Sequence, residues 1–313
     1  MKKLAIASAV AALVAAGSSN AATIYDNKGL KFKIDGDFQI HLQKDIGNNQ
    51  DLNLEFDDLE IKNKVSYDLG NGMKAFGQVH FGFKDAANNK NGDSYAELEE
   101  AFLGMQTGNF KFSFGKTNSA ADEFGLGTYW ESPLAEDAFD GKTATDGDDL
   151  LRLDVELESV TIVLSHEIEA DSEASGDPEF TGLFIGGAFG GLELGAAVQS
   201  YSAAPGAADI DSWGIQASYD FGKFTLQADY SEVDGGAVDY EHWNLAGSAM
   251  VTENVELGLG FQGEEDAGVD DDGWYANATY RFPTQKNVYL FGELSDTDSG
   301  DDMGYLAGMR VKF

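Results

Sequence analysis

The chain of 313 residues contains no cysteine, only 4 prolines, and no long apolar run after its N-terminal segment. The absence of cysteine excludes disulfides, thiolate chemistry and cysteine-ligated metal sites. The scarcity of proline, beside 38 glycines and 12% aromatic residues, favours long strands and tight turns over helices. Without disulfides, an exported chain of this length needs either a large core or a closed hydrogen-bonded sheet.

Basic residues are also scarce, because 20 lysines and arginines stand against 55 aspartates and glutamates, which gives a net charge of −35. Such an acidic chain repels phosphate, and we therefore expect no nucleic-acid partner. The four histidines, His41, His80, His166 and His242, form no His-Glu-x-x-His pair, and no Gly-x-Ser-x-Gly elbow occurs. We expect no enzyme activity, no cofactor and no metal site.

Two further stretches resemble binding motifs. Residues 258–263 spell Gly-x-Gly-x-x-Gly, but they lie inside an alternating strand, so no helix N-terminus would receive a phosphate. Residues 296–301 resemble a calcium loop, but Ala307 stands where such a loop needs a bidentate glutamate. A solvated loop is the favoured interpretation of the second stretch, and the sequence leaves calcium binding by the acidic loops open.

The N-terminus predicts export. Lys2 and Lys3 precede an apolar run over residues 4–16, and small residues follow at 19–21, which is the pattern of a cleaved signal peptide. We expect cleavage after Ala21, which leaves residues 22–313 as a single domain. Loss of the two lysines removes two positive charges and takes the net charge from −35 to −37.

The last eleven residues alternate between two kinds of side chain. Residues 303, 305, 307, 309, 311 and 313 are apolar, whereas Arg310 and Lys312 lie on the other parity. Because side chains alternate across a strand, one face is apolar and the other is charged. A strand of about ten residues can cross a bilayer when tilted. The pattern indicates a transmembrane barrel strand with apolar residues outside and charged residues inside.

The same alternation recurs from residue 29 to the C-terminus. It predicts sixteen strands, over residues 29–44, 52–69, 73–84, 94–107, 110–116, 149–158, 160–168, 180–190, 192–201, 210–221, 223–233, 239–251, 255–264, 272–283, 287–296 and 303–313. Tight turns alternate with longer polar loops, of which 117–147 is the longest, as in outer-membrane barrels. A barrel of about 16 strands encloses water. We predict an all-β fold, a transmembrane antiparallel up-and-down β-barrel of about 16 strands.

Two neighbouring stretches carry a family resemblance. Residues 100–105 (Glu-Ala-Phe-Leu-Gly-Met) and 108–116 (Gly-Asn-Phe-Lys-Phe-Ser-Phe-Gly-Lys) resemble the general diffusion porins of Gram-negative bacteria. Phe313, with apolar residues at alternate positions before it, resembles the signal that the barrel-assembly machinery reads. The resemblance implies a sixteen-stranded barrel in the cell outer membrane, usually a homotrimer in contact with lipid and lipopolysaccharide. It also implies that the third long loop, here 117–147, folds into the lumen.

The charges predict an electric field across that lumen. The acidic side is the loop, which would form the constriction with Asp122, Glu123, Glu131, Glu136, Asp137 and Asp140. The basic side is the wall, with Lys33, Lys62, Lys64, Lys74, Lys116, Arg152 and Arg310. Such a field favours polar solutes over apolar ones. Together with the net negative charge, it predicts a porin that passes small hydrophilic solutes and ions passively and is mildly cation-selective.

Three alternatives compete with this prediction. A channel specific for a sugar, a phosphate or an organic acid would need an aromatic slide or rings of basic residues, and the sequence supplies neither. An enzyme or adhesin on the same barrel would need a catalytic constellation or an extracellular domain. A soluble secreted β-sandwich would have no reason to place short connections at one end and long connections at the other.

Overall fold

The computed structural model describes residues 21–88, 95–168, 178–204, 206–235, 238–300 and 302–313. The predicted signal segment before Ala21 lies outside these residues. Helical structure in the described residues is confined to the short helices α1 and α2 and one 3₁₀ turn, at Lys84–Asn88, Ala138–Lys142 and Ala121–Glu123. Within these ranges, no helix is long and apolar enough to span a membrane.

Strands account for most of the described chain. They are β1 Ala22–Asn27, β2 Leu30–Lys44, β3 Asn53–Gly70, β4 Met73–Gly82, β5 Glu97–Thr107, β6 Phe110–Asn118, β7 Asp146–Glu156, β8 Val160–Glu167, β9 Glu179–Phe189, β10 Leu192–Ser202, β11 Ile210–Asp220, β12 Phe224–Gly235, β13 Val238–Met250, β14 Val255–Asp266, β15 Val269–Phe282, β16 Gln285–Thr297 and β17 Gly304–Lys312. From β2 to β17 each strand pairs antiparallel with the next, and β17 pairs with β2. The ring of sixteen strands therefore closes, as predicted.

The strand β1 was not predicted. It pairs with β2 between Leu30 and Ile34, whereas β17 pairs with β2 from Asp37 onward. The chain end continues this pairing, because the Gly36 amide donates to the Phe313 carbonyl at 2.9 Å. Consequently β1 and β17 lie end to end beside β2, and β17 closes the ring.

The two faces of the ring differ as the alternation predicted. Trp213, Tyr219 and Phe224 are 42–44% exposed on the outer face, where a bilayer would cover them. Gln39 and Gln262 lie on the inner face and are at most 1% exposed. An apolar exterior and a polar interior suit a hydrocarbon surround and a water-filled centre.

One predicted loop is a hairpin instead. The predicted strands 255–264 and 272–283 leave a connection of seven residues between them, but β14 continues to Asp266 and β15 begins at Val269. The turn between them has positive φ at both Ala267 (51°) and Gly268 (83°), the geometry of a tight hairpin turn. The acidic stretch keeps its backbone hydrogen bonds by extending the ladder, so its polarity did not signal a loop.

Candidate functional site

The loop between β6 and β7, residues 119–145, lies against the inner wall of the barrel. The Gly125 amide donates to Gln216 Oε1 at 2.8 Å, and the Leu126 amide donates to Asp229 Oδ2 at 3.1 Å. Both acceptors are inward side chains, on β11 and β12. Polar wall side chains therefore satisfy the backbone of this irregular segment, which has no strand partner of its own.

The far part of the loop is held by Trp130. Its backbone amide donates to Glu293 Oε2 at 2.8 Å, and its indole Nε1 donates to Thr279 Oγ1 at 3.0 Å. The indole also stacks on Phe291 of β16, with ring centroids 3.8 Å apart. The loop thus crosses the lumen from its base between β6 and β7 to β16.

A small apolar core holds the near part of the loop. Phe124 and Phe139 contact each other with ring centroids 5.2 Å apart. They are buried with apolar residues of the loop and of the inner wall, namely Ala120, Ala121, Val163, Phe184 and Ala197. Apolar residues at inward positions of β8, β9 and β10 are exceptions to the alternation, and the loop that covers them explains why they are tolerated.

Arg152 joins the loop base to the wall. Its NH1 donates to the carbonyls of Asn118 and Ser119 at 3.0 and 3.1 Å, and its NH2 forms ion pairs with Glu123 and with Asp154. Arg152 is 8% exposed, and a buried guanidinium needs such partners. Of the predicted acidic and basic sets, Glu123 and Arg152 meet directly.

The remaining loop acids have different environments. Asp137 caps α2 by accepting from the Phe139 and Asp140 amides at 2.8 and 3.0 Å. Asp122 accepts from Asn118 Nδ2 at 2.6 Å. Glu136 and Asp140 are exposed, and within the described chain neither forms an ion pair.

Glu131 approaches the wall. One ligand atom from each of Glu131, His41 and Asp57 lies within 4.8 Å of the others, and the Glu131 amide donates to Glu293 at 3.0 Å. Burial, followed by the Asp57 and Glu293 carboxylates, raises the pKa of Glu131 to about 8. Burial similarly raises the pKa of Asp137 to about 7, although its two backbone hydrogen bonds oppose the shift.

The inward basic residues of the wall are mostly neutralised by neighbouring carboxylates. Lys64 contacts Asp35 at 2.7 Å, and Lys62 contacts Glu60 at 3.0 Å. Arg310 is hydrogen-bonded through Nε to Asp37 at 2.9 Å. Most residues of the predicted basic wall therefore form ion pairs with carboxylates and do not present free positive charge.

Three other basic residues complete the predicted wall set. Lys33 lies opposite Lys64, on the inward parity of β2, and Lys74 lies on the inward parity of β4 beside the turn at its start. Lys116 pairs with Ala101 and alternates in phase with Phe114, which is 49% exposed on the outer face. The prediction that Lys116 lines the lumen is therefore wrong.

Two β-bulges add carboxylates to the lumen. In β3 the pairing with β2 shifts between Phe56 and Leu59. Both flanking residues keep the outward face, so Asp57 and Asp58 between them turn inward together. Asp57 accepts from Gln39 Nε2 at 2.6 Å, and Asp58 contacts Arg310 at 2.6 Å.

The second bulge lies in β5. His80 pairs with Glu100 and Phe81 pairs with Leu98, so Glu99 is the extra residue. Leu98 and Ala101 face outward, and Glu99 and Glu100 both face His80 in the lumen. Bulges often re-aim side chains in this way.

A cavity of about 520 Å³ opens beside the loop. Among its lining residues are Arg281, Arg310 and Lys312, against Glu256 as the one acidic residue. Arg281 contacts that glutamate at 2.7 Å. Arg310 and Lys312 are likewise paired, with Asp37 of the wall, so the cations that line this cavity are neutralised. Arg281 is a basic wall residue missed among the predicted set although it lies on the charged parity of β15.

Comparison with known proteins gives consistent results. A family profile described as Gram-negative porin matches residues 7–302. Outer membrane protein U of Vibrio parahaemolyticus is 23% identical over 98% of this chain and 94% of its own length. The major outer membrane protein of Pasteurella multocida is 31% identical, but the alignment spans only 41% of this chain and 38% of that protein.

Solved structures share the fold. The trimer form of the outer membrane protein OmpT of Vibrio cholerae superposes with a TM-score of 0.75 at 17% sequence identity, covering 91% of this chain and 100% of that one. At this identity the likeness concerns the fold, which is the closed ring described above.

Proposed function

Because the chain belongs to the Gram-negative porin family, whose members lie in the outer membrane, we propose that it forms a water-filled channel for passive diffusion of small hydrophilic solutes and ions. The observation that supports this function best is the closed ring of sixteen strands, apolar outside and ionised inside. An ionised lumen holds water, and solutes that can exchange hydration for polar contacts pass through it more readily than apolar ones.

We further propose a mild preference for cations. The wall cations Arg152, Arg310 and Lys64 are paired with carboxylates, whereas Glu136 and Asp140 on the loop are exposed and, in the described residues, have no cationic partner. Together with a net charge of −35, these free carboxylates enrich cations in a lumen with low-dielectric walls.

A homotrimer is the proposed assembly. The trimeric form of OmpT supports it, and the apolar outer face offers surface for contacts with lipid, lipopolysaccharide or a second copy. We also propose that Phe313, whose ring contacts Phe38 at 5.2 Å, is read by the barrel-assembly machinery. Light scattering of the detergent-solubilised protein, corrected for bound detergent, would measure the number of copies.

Planar-bilayer recording tests the channel. Purified protein should insert in discrete conductance steps, and a salt gradient should give a reversal potential of the sign expected for cations. Swelling of protein-loaded liposomes in sugars of increasing size should slow steadily with size. Absence of conductance steps would contradict the channel, whereas an anion-selective reversal potential would contradict only the cation preference.

A further inference from the structure

We propose that the lumen holds a zinc site, formed by His80 of β4 with Glu60 of β3 and Glu99 of β5. His80 Nε2 lies 2.6 Å from Glu60 Oε2 and 2.8 Å from Glu99 Oε2. One ligand atom from each residue lies within 4.8 Å of the others. Imidazole and carboxylate are ligands that Zn²⁺ accepts, and three protein ligands leave a position for water.

The direction of the imidazole favours a metal over a hydrogen bond. His80 is 4% exposed, and although two carboxylate oxygens are close, Nε2 has no aligned hydrogen-bond partner. Both oxygens lie close to Nε2 but away from the direction in which it would donate. Ligand atoms of a tetrahedral Zn²⁺ ion lie about 3.3 Å apart, so binding would need each oxygen to move away from Nε2 by about half an ångström or slightly more, which flexible glutamate side chains allow.

The surrounding residues orient the ligands. His80 Nδ1 lies 3.3 Å from Glu100 Oε2, and Thr117 Oγ1 donates to Glu100 Oε1 at 3.2 Å. A carboxylate on the other ring nitrogen is the usual companion of a metal-bound histidine, since it fixes the tautomer that leaves Nε2 free. Lys62 Nζ lies 3.0 Å from Glu60 Oε1, so Glu60 Oε2 is the oxygen that can bind the ion.

The local charges match a divalent cation. Glu60, Glu99 and Glu100 contribute three negative charges and Lys62 contributes one positive charge, so the cluster with neutral His80 carries a charge of −2. Protonation of His80 would compensate only half of it. One Zn²⁺ would compensate all of it.

Two features of the chain place Glu99 at this site. The bulge in β5 turns Glu99 into the lumen beside Glu100. Gly82 then leaves room for its carboxylate, because a Cβ at Gly82 would overlap Glu99 Oε1. A side chain at position 82 would displace the flexible end of Glu99 without moving the backbone.

Zinc titration of tag-free, chelator-stripped protein by calorimetry, with bound metal counted by elemental analysis, tests the proposal. Wild type should bind one equivalent of zinc. His80→Asn and Glu99→Gln should each weaken this binding by at least about tenfold. Gly82→Ala should weaken the same equivalent while the barrel stays folded, as judged by its heat-dependent gel mobility. Glu100→Gln should weaken it by about 10–100-fold, as expected when a histidine loses its orienting carboxylate.

Matched controls separate this site from other histidines. His166→Asn removes a histidine that contacts Thr181 at 2.9 Å, and Gly292→Ala adds a Cβ with no contact closer than 3.4 Å. Both variants should still bind one equivalent of zinc. His41→Asn removes the histidine grouped with Asp57 and Glu131, and it should also leave it intact. Zinc binding that is absent in wild type, or unchanged by His80→Asn, would overturn the proposal and leave His80 as a protonated partner of its glutamates.

Discussion

The indole of Trp130 stacks on the phenyl ring of Phe291, with centroids 3.8 Å apart and an interplanar angle of 10°. This contact ties the irregular loop inside the barrel to the rigid wall on the side opposite its base. The Arg152 cluster holds the base of the loop and Trp130 holds its far part, and the exposed acids Glu136 and Asp140 follow Trp130 in the chain.

Replacing Trp130 with alanine should free the far part of the loop. The ring pair contributes about 0.5–1.5 kcal/mol beyond burial, and the bond to Thr279 adds about 1 kcal/mol. A loss of about 1.4 kcal/mol raises the population of the undocked loop about tenfold. Single-channel records should therefore show frequent openings to a larger conductance. Trp213→Ala, on the outer face, is the control, and equal noise in both variants would contradict the role given to Trp130.

Removing Arg152 should destabilise the barrel near the loop base. Arg152→Met leaves the Asp154 carboxylate, which is 4% exposed, with only Lys111, whose Nζ lies 3.6 Å away. A broken buried ion pair costs about 3–5 kcal/mol, and the remaining contact with Lys111 puts the expected loss at the lower end. Urea unfolding in lipid vesicles should show this loss. The double variant Arg152→Met with Asp154→Asn should recover part of it, since both charges leave together, and a double variant no better than the single one would speak against the ion pair.

Neutralising the exposed loop acids should weaken cation preference. In the double variant Glu136→Gln with Asp140→Asn, the cation-to-anion permeability ratio should fall by about twofold, a modest effect because exposed charges are screened beyond about 10 Å in 0.1 M salt. Reversal potentials measure it. Glu253→Gln, in the tight turn after β13, is the matched control and should leave the ratio unchanged.

Selectivity should depend on pH near neutrality. The pKa of Glu131 is raised to about 8 and that of Asp137 to about 7, in both cases chiefly by burial. A carboxyl with a raised pKa is neutral below that pKa, so the loop loses negative charge as the pH falls from about 9 to 6. Cation preference should decline over this window, well above the range of ordinary carboxyls near pH 4.

The raised pKa of Glu131 also determines how the stability of the docked loop depends on pH. The docked loop holds Glu131 with a raised pKa, so the docked state binds the proton more tightly than the undocked state. Docking therefore becomes more favourable as the pH falls through about 8 and less favourable as the pH rises. Glu131→Gln should remove the alkaline part of the titration seen in reversal potentials. A wild-type curve that is flat between pH 6 and 9 would refute the assignment.

Period-two alternation made most of the ring predictable, because each long strand has one lipid-type face and one polar face. The strand β1 escaped prediction because it is only 6 residues long and places Ile24 and Tyr25 next to each other. The hairpin around Gly268 escaped because its flanks are acidic on both faces, which resembles a loop. In both cases backbone pairing decided the structure where side-chain pattern gave no signal.

The candidate site was less predictable. Parity alone identified the face of Arg152 and Arg310, but it could not reveal that wall carboxylates neutralise them. Lys116 was misplaced although parity alone could have corrected it, because it shares the parity of Phe112 and Phe114, and the pairing register puts it on the outer face with Ala101. The group around His80 depends on the register of three strands and on one bulge, and residues 60, 80 and 99 are too far apart in sequence for spacing to bring them together.

The end-to-end placement of β1 and β17 beside β2 has a consequence for engineering. Ala22 lies opposite Ile34 and Phe313 opposite Gly36, and two residues of strand span about 7 Å. A linker of one or two residues could join Phe313 to Ala22 along the existing hydrogen-bond ladder. New termini could then be opened in any exposed turn, so a circularly permuted gene should encode the same ring.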